Sequence, residues 1–511
     1  MGIARYVIGV DIGTTSTKAI LYDDAGSAIA HHSVEYPLSV PTPGAAEQDP
    51  EQILRAVIEA IGRVASGVDS SRIACVSFSA AMHSLIALDA TGQPLTRCIT
   101  WADTRSAAWA HRIKQNGGDE IYRRTGTPIH PMSPLVKLCW LKDTQPALFD
   151  SAARFVSIKE YVFHRFFQRY LVDHSIASAS GLFNISTLEW ESEALALAGI
   201  TAERLSTPVS TIERIEGLDA DIARRTGLTR DTPFVVGAND GAAANIGVNA
   251  IERGIVAVTI GTSGAIRTVV DRPLTDARGR TFCYVVAPGL WLVGGPVNNG
   301  GIVLRWLRDE LAAAEVEAAK RLRMDVYDML TTIAERVGAG AGGLLFHPYL
   351  AGERAPLWNA DARGSFFGLA LHHRREHMIR AVLEGVIFNL FAVFRILEEV
   401  AGKAERVSAS GGFARSRLWR QIMADIFNRE VMVPRFHESS SLGAAVLGLY
   451  AIGAIPSLQM VAGMVSEMEC HRPNPPDVEQ YRRLAPVYLS LPDLLRNAYR
   501  DIAEFQRSTP S

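Results

Sequence analysis

Two short stretches combine glycine with clustered hydroxyl residues: Asp11-Ile12-Gly13-Thr14-Thr15-Ser16 and, about half a chain later, Gly261-Thr262-Ser263-Gly264. Glycine lets the backbone approach an anion closely, and neighbouring N–H groups and hydroxyls then donate to phosphate oxygens. Asp11 adds a carboxylate able to hold a Mg2+ ion through water. Lys18 follows on a β-rich run, where it either touches phosphate or faces solvent. A polar hairpin turn without a ligand uses the same residue types. The recurrence of the turn favours phosphate binding.

A third chemical feature is Gly237-Ala238-Asn239-Asp240-Gly241, which follows the apolar run Pro233–Val236. A carboxylate at a strand end is placed to accept the proton of an attacking hydroxyl, a contribution of roughly 10²–10⁴-fold. Asp before a run of small residues equally suits a helix N-cap, and spacing alone leaves the two readings of Asp240 equal. Met82-His83 and Trp101-Ala102-Asp103-Thr104-Arg105 also sit at strand ends and mix aromatic with polar groups, as a carbohydrate needs. A lone His or Trp is more often structural, so it is the pair of clusters that points to a pocket. Gly411-Gly412-Phe413 leaves room for a flat ligand such as adenine, and Gly295–Gly301, which includes Gly300, offers a second such wall. Either could instead be close strand–helix packing.

Two familiar nucleotide sites are disfavoured, because neither the G-x-x-x-x-G-K-[ST] spacing nor an H-R-D loop occurs. Gly338–Gly343 fits G-x-G-x-x-G but follows a helical pattern, so it reads as a helix stop.

The elements that must position these groups alternate in type. Tyr6–Val10 and Thr17–Leu21 read as a hairpin, Pro50–Ala65 as a helix and Ile73–Phe78 as a strand; helices fill much of Ser106–Phe167, and Asp173–Ile185 reads as an irregular loop. Ile255–Ile260, the second turn and Ala265–Val270 repeat the opening hairpin. A long helix at Glu376–Glu399, a strand at Arg406–Ala409, helices at Leu418–Phe427 and Ser441–Ala451, and a polar helical segment after Pro473 complete the chain. The expected architecture is α/β, with domains 1–254 and 255–511 and a ligand cleft between them.

Composition narrows the partners. The 511 residues carry 48% hydrophobic residues and a formal net charge of -2, which gives no basic field for nucleic acid or anionic lipid. The five cysteines form no C-x-x-C pair and read as small buried residues, and neither a leader nor an apolar run of membrane-spanning length is present. A cytoplasmic protein is expected, with a homodimer allowed.

Taken together, these stretches resemble the FGGY carbohydrate kinases of the actin-like, ribonuclease H-like superfamily, over essentially the whole chain. Ile8–Lys18 is similar to the family's first phosphate motif, Val258–Gly264 to its second and Ser410–Ser416 to its adenosine motif; Met132–Leu141 resembles its first signature. The resemblance implies two actin-like domains and the use of ATP with Mg2+. It implies nucleotide contacts at Asp11, Gly13, Thr14, Thr15, Ser16, Lys18, Gly261, Thr262, Ser263, Gly300, Gly411, Gly412, Phe413 and Ser416, with Asp11 also serving the metal through water. Asp240 becomes the catalytic base, and Met82, His83, Trp101, Asp103 and Arg105 become substrate-facing. Within the family, Ser79–Ser84, Thr125–Met132, Gly295–Gly301 and Tyr349–Pro356 look most like bacterial gluconokinases, with xylulokinases the nearest alternative; Ala80-Ala81 before Met82, and Ala102-Asp103 after Trp101, depart from the xylulokinase pattern without excluding it. A sugar acid needs a cation, and His83, Arg105, His130 and Lys159 are the candidates by position. The alternative outside this class is an actin-like ATPase or scaffold without a sugar substrate.

Overall fold

The two β-rich runs around Gly13 form the antiparallel strands Tyr6–Ile12 and Ser16–Tyr22, with Asp11 opposite Lys18 and Ile12 opposite Thr17. The computed structural model describes residues 5–434, 438–465 and 468–508. Strand alternation sorts the apolar side chains to opposite faces. Ile8, Val10, Ala19 and Leu21 join one core with the helices Pro50–Ala65 and Ile158–Phe167, while Val7, Ile20 and Tyr22 join another with the helices Asp240–Gly247 and Ser439–Ala451.

This sheet has six strands in the order Ala28–Glu35, Ser16–Tyr22, Tyr6–Ile12, Ile73–Ala80, Phe234–Asn239 and Arg214–Ile215. Tyr6–Ile12, Ile73–Ala80 and Phe234–Asn239 run parallel, so Ile12, Ala80 and Asn239 finish side by side. The first Gly-Thr turn, Met82-His83 and Asp240 therefore all leave from one edge. In open α/β sheets the carboxyl ends of parallel strands are where ligands bind.

The second hairpin repeats the plan. Ile255–Ile260 pairs antiparallel with Gly264–Val270 and parallel with Arg406–Ser410, which in turn pairs parallel with Glu430–Pro434. Thr259 lies opposite Ser410, so the second turn and Gly411-Gly412 also leave from one edge.

The chain divides into two units: Met1–Glu252 with Val269–Val293 and Glu438–Ser466, and Arg253–Thr268 with Gly294–His437 and Glu467–Ser511. This division differs from a single cut at 254 by two segments that return to the first unit. The stretch Asp173–Ile185 is not the expected irregular loop: it holds the end of a strand, the helix His174–Ser178 and the strand Phe183–Asn184, all largely buried. Four cysteines are buried as expected, but Cys470 is exposed. The polar helical segment after Pro473 forms the helices Pro475–Leu494 and Arg496–Ser508, the first of which buries Tyr481 and Tyr488.

Candidate functional site

In the first unit, the turn is a tight hairpin closed by the Gly13 N–H donating to the Ser16 carbonyl at 3.0 Å. Three side chains fix its shape: Tyr36 donates to the Gly13 carbonyl (2.7 Å), Gln48 to the Thr14 carbonyl (2.6 Å) and the Trp101 indole to the Thr14 hydroxyl (2.9 Å). Trp101, expected to face substrate, is thus also a brace for the phosphate turn. Asp11 receives the Ser79 hydroxyl at 2.8 Å, and burial raises its pKa above the usual carboxylate value despite that bond and nearby Lys18. Lys18 spans to both oxygens of Glu438 at 3.0 and 2.9 Å, so its partner in the fold is a carboxylate 420 positions later.

Asp240 opens the helix Asp240–Gly247, but the cap is its neighbour: the Asn239 side chain accepts from the Ala242 N–H at 2.7 Å. The capping alternative therefore belongs to Asn239. Asp240 stands at the first helical position, half-buried, with Oδ1 accepting from the Gly241 N–H at 2.8 Å, where the helix dipole favours a carboxylate. His83 adopts a left-handed backbone (φ 66°), donates from Nδ1 to the Ala179 carbonyl at 2.7 Å and meets the Tyr284 ring edge-on. Met82, partly buried, packs against two apolar cores, and His130 Nδ1 accepts from the Met132 N–H. Fully buried Lys137 donates to the carbonyls of His83 (2.5 Å) and Thr100 (2.7 Å), tying the His83 and Trp101 loops together; burial pulls its pKa down to about 7.

Two of the four expected cations are occupied differently. Arg105 bonds Asp103 and Glu47, with its guanidinium 4.6 Å from the centre of the Trp140 ring. Asp103, 1% exposed, also takes the N–H groups of Ala46 and Arg105, so it organises this loop. Lys159 is 2% exposed, 2.6 Å from Asp173, and donates to the carbonyls of Val236 and Ala238. Its reading as a substrate cation is corrected: its ammonium is already turned to one carboxylate and two carbonyls within the fold.

In the second unit, Gly261, Thr262, Gly301, Gly412, Phe413 and Ser416 line a cavity of about 640 Å³, together with Tyr327 and Trp419. A side chain on Gly411 (φ 100°) would lie 2.3 Å from the Ile260 carbonyl, whereas one on Gly412 would meet open space. The backbone at Gly412 is thus bare toward the cavity. Phe413 is buried edge-on to Trp419, and the Ser416 hydroxyl caps the helix Arg417–Phe427. The second turn is held by backbone: Gly301 and Ile302 N–H donate to the carbonyls of Gly261 and Thr262 at 2.7 and 3.0 Å. Gly300 lies so near Ser263 that a Cβ would sit 2.6 Å from its carbonyl atoms. Behind this loop, buried Glu353 accepts from Asn298 N (2.5 Å), Asn299 Nδ2 (2.9 Å), Asn389 Nδ2 (2.7 Å) and Arg354 N (2.8 Å). Neither Glu353 nor Glu438 carries a local sequence signal for these tasks.

The chain belongs to the FGGY family of carbohydrate kinases: the family's N-terminal domain matches residues 6–247 and its C-terminal domain residues 256–452. It is thus an ATP-dependent carbohydrate kinase with the actin-like, ribonuclease H-like fold. It is 53% identical to the gluconokinase of Bacillus subtilis (strain 168) over 99% of both chains. Two solved structures from Lactobacillus acidophilus, a gluconate kinase and a ligand-bound xylulose kinase, each superpose with a TM-score of 0.93 at 38% identity, covering 98% of this chain and all of theirs. Among the described residues, no helix is long and apolar enough to cross a membrane.

Proposed function

We propose that the chain transfers the γ-phosphoryl group of ATP to D-gluconate, giving 6-phosphogluconate, with Asp240 as the base. The observation that carries the chemical assignment is the exchange of roles at the strand end: Asn239 caps the helix, and the Asp240 carboxylate remains at its first turn. The substrate assignment draws on the 53% full-length identity to a gluconokinase. In the reaction, Asp240 takes the proton of the attacking hydroxyl while backbone and hydroxyl donors of a Gly-Thr turn offset charge on the transferring oxygens. The first unit holds the sugar acid and the second holds ATP. The proposed readers of the substrate carboxylate are His83 and His130, whose Nδ1 atoms are held by the Ala179 carbonyl and the Met132 N–H.

Magnesium commonly uses one or two carboxylates, with phosphates and waters completing its shell, and a half-buried carboxylate beside a phosphate turn suits that role. Asp11, beside the first turn and bonded by the Ser79 hydroxyl, fits. A Mg2+ ion there supplies charge neutralisation for the phosphates. The working compartment is the cytoplasm.

Release of ADP across gluconate, xylulose, glycerol, ribulose and fuculose tests the reading. Gluconate should give the highest kcat/KM; a flat panel would remove the kinase assignment, and a preference for xylulose would replace the substrate. Asp240→Asn should cut kcat by about 10²–10⁴-fold with nucleotide binding intact.

A further inference from the structure

The first unit buries a charged pair, Lys159 and Asp173, at 2% and 0% side-chain exposure. An apolar pair of similar volume is often as stable as a buried ion pair, so hydrophobic packing gives no reason for charges here. Their contacts converge on one place. Lys159, on the helix Ile158–Phe167, donates to the carbonyls of Val236 (3.1 Å) and Ala238 (3.0 Å), which flank Gly237. Gly237 has φ 75°, and there the register of Phe234–Asn239 against Ile73–Ala80 shifts. A side chain on Gly237 would lie 1.8 Å from the Phe78 carbonyl, so the irregularity is built into the strand. Such a bulge re-aims the residues beyond it, here Asn239 and Asp240.

A second route starts from the other end of the pair. Asp173 Oδ1 accepts from Ile176 N at 2.9 Å and caps the helix His174–Ser178. From that helix, the Ser175 hydroxyl accepts from Asn239 N (3.1 Å) and Nδ2 (2.7 Å), and its carbonyl accepts Nδ2 at 3.3 Å. Asn239 is the cap of the helix that Asp240 begins. One ion pair thereby fixes the strand before Asp240 and, through Ser175, the cap beside it.

We infer that Lys159 and Asp173 are positioning residues that set the direction of the Asp240 carboxylate. The inference rests on Asp240 being the base. It assigns Lys159 no contact with substrate, and it accounts for the charges as directional anchors for a bulged strand end.

The test uses the full chain, ATP and the best substrate of the panel, below the melting temperature of each variant. Lys159→Met/Asp173→Leu removes both charges and both routes without leaving an ion buried alone. It should lower kcat about 10–100-fold, with KM for ATP and for the sugar acid within about twofold, since small misplacement of a reacting group is that costly. Lys159→Met/Asp173→Asn, which keeps an oxygen for Ile176 N, should fall between it and the parent. Parent-like kcat in the charge-free variant overturns the inference, as does a raised sugar-acid KM at unchanged kcat, which would make Lys159 a substrate cation. If that variant does not fold, Ser175→Ala tests the second route: a several-fold loss in kcat alone supports it, and parental kcat overturns it. Asp240→Asn runs alongside. Retained activity there would remove the base assignment itself, whereas an inactive Asp240→Asn beside a fully active charge-free variant removes only the positioning role.

Discussion

The two Gly-Thr turns are alike in residue type and unlike in support. Side chains arriving from distant parts of the first unit hold Gly13–Ser16: Tyr36, Gln48 and Trp101 each contribute one donor. Gly261–Gly264 hangs instead on the N–H groups of Gly301 and Ile302, with Gly300 packed against it and Glu353 gathering four donors behind the loop. Similar turns thus tolerate change differently. The first is braced by several independent bonds, while the second depends on one closely packed loop and one buried carboxylate.

The largest effect expected from this contrast is at Gly300. Gly300→Ala places a methyl 2.6 Å from the Ser263 carbonyl atoms and should displace the second turn, lowering kcat/KM for ATP by about 10²-fold with the KM for the sugar acid nearly unchanged. An unaffected ATP response would show that the loop yields. Next is Glu353→Gln, isosteric yet wrong in chemistry, because an amide NH2 must then face N–H donors. A loss of about 1–3 kcal/mol is expected, read as a lower melting temperature and a higher ATP KM. Trp101→Phe removes one brace of three, and steady-state kinetics should show about a 2–10-fold fall in kcat/KM. A loss as deep as that of Gly300→Ala would erase the contrast.

The smallest effect is on stability, at Asp11. Burial raises its folded pKa above the usual value, so the ionised form is disfavoured in the fold at neutral pH. Asp11→Asn should therefore raise the melting temperature, by about 2–4 °C for each kcal/mol relieved, while lowering activity. The gain should shrink as pH falls through the raised folded pKa, and vanish only below the usual carboxylate value, where Asp11 is protonated in folded and unfolded chains alike. Melting curves at pH 7 and pH 4 check the sign.

Both turns, the strand end at Asp240 and the Gly411-Gly412 bend were legible because each is contiguous: glycine, hydroxyl and carboxylate lie within a few residues of a β-rich run. Partners were not. Lys18 and Arg105 carry charge that the chain reads locally, but whether a cation meets substrate or protein is settled by Glu438 and Glu47, far away in sequence. Lys159 was misassigned for that reason: its acceptors include Asp173, 14 positions on, and carbonyls near residue 237. Asp173–Ile185 misled through composition. Its small residues reflect crowding, since Asp173, Ser175 and Ser178 are fully buried, where looseness had been the natural reading.

The helix Ser439–Ala451 packs between parts of the first unit with almost no clearance: side chains on Gly9, Gly247 and Gly443 would lie 2.1, 1.9 and 1.8 Å from the carbonyls of Ser441, Ser439 and Ala243. Its residues sit in the same core as Val7 and Tyr22. On the ribosome, the sheet begun by residue 6 waits for more than four hundred further residues before one of its faces is closed. The nascent chain must carry that apolar face through most of its own synthesis, so the order of translation, and any helper that shields the face meanwhile, bears on how much enzyme a cell obtains.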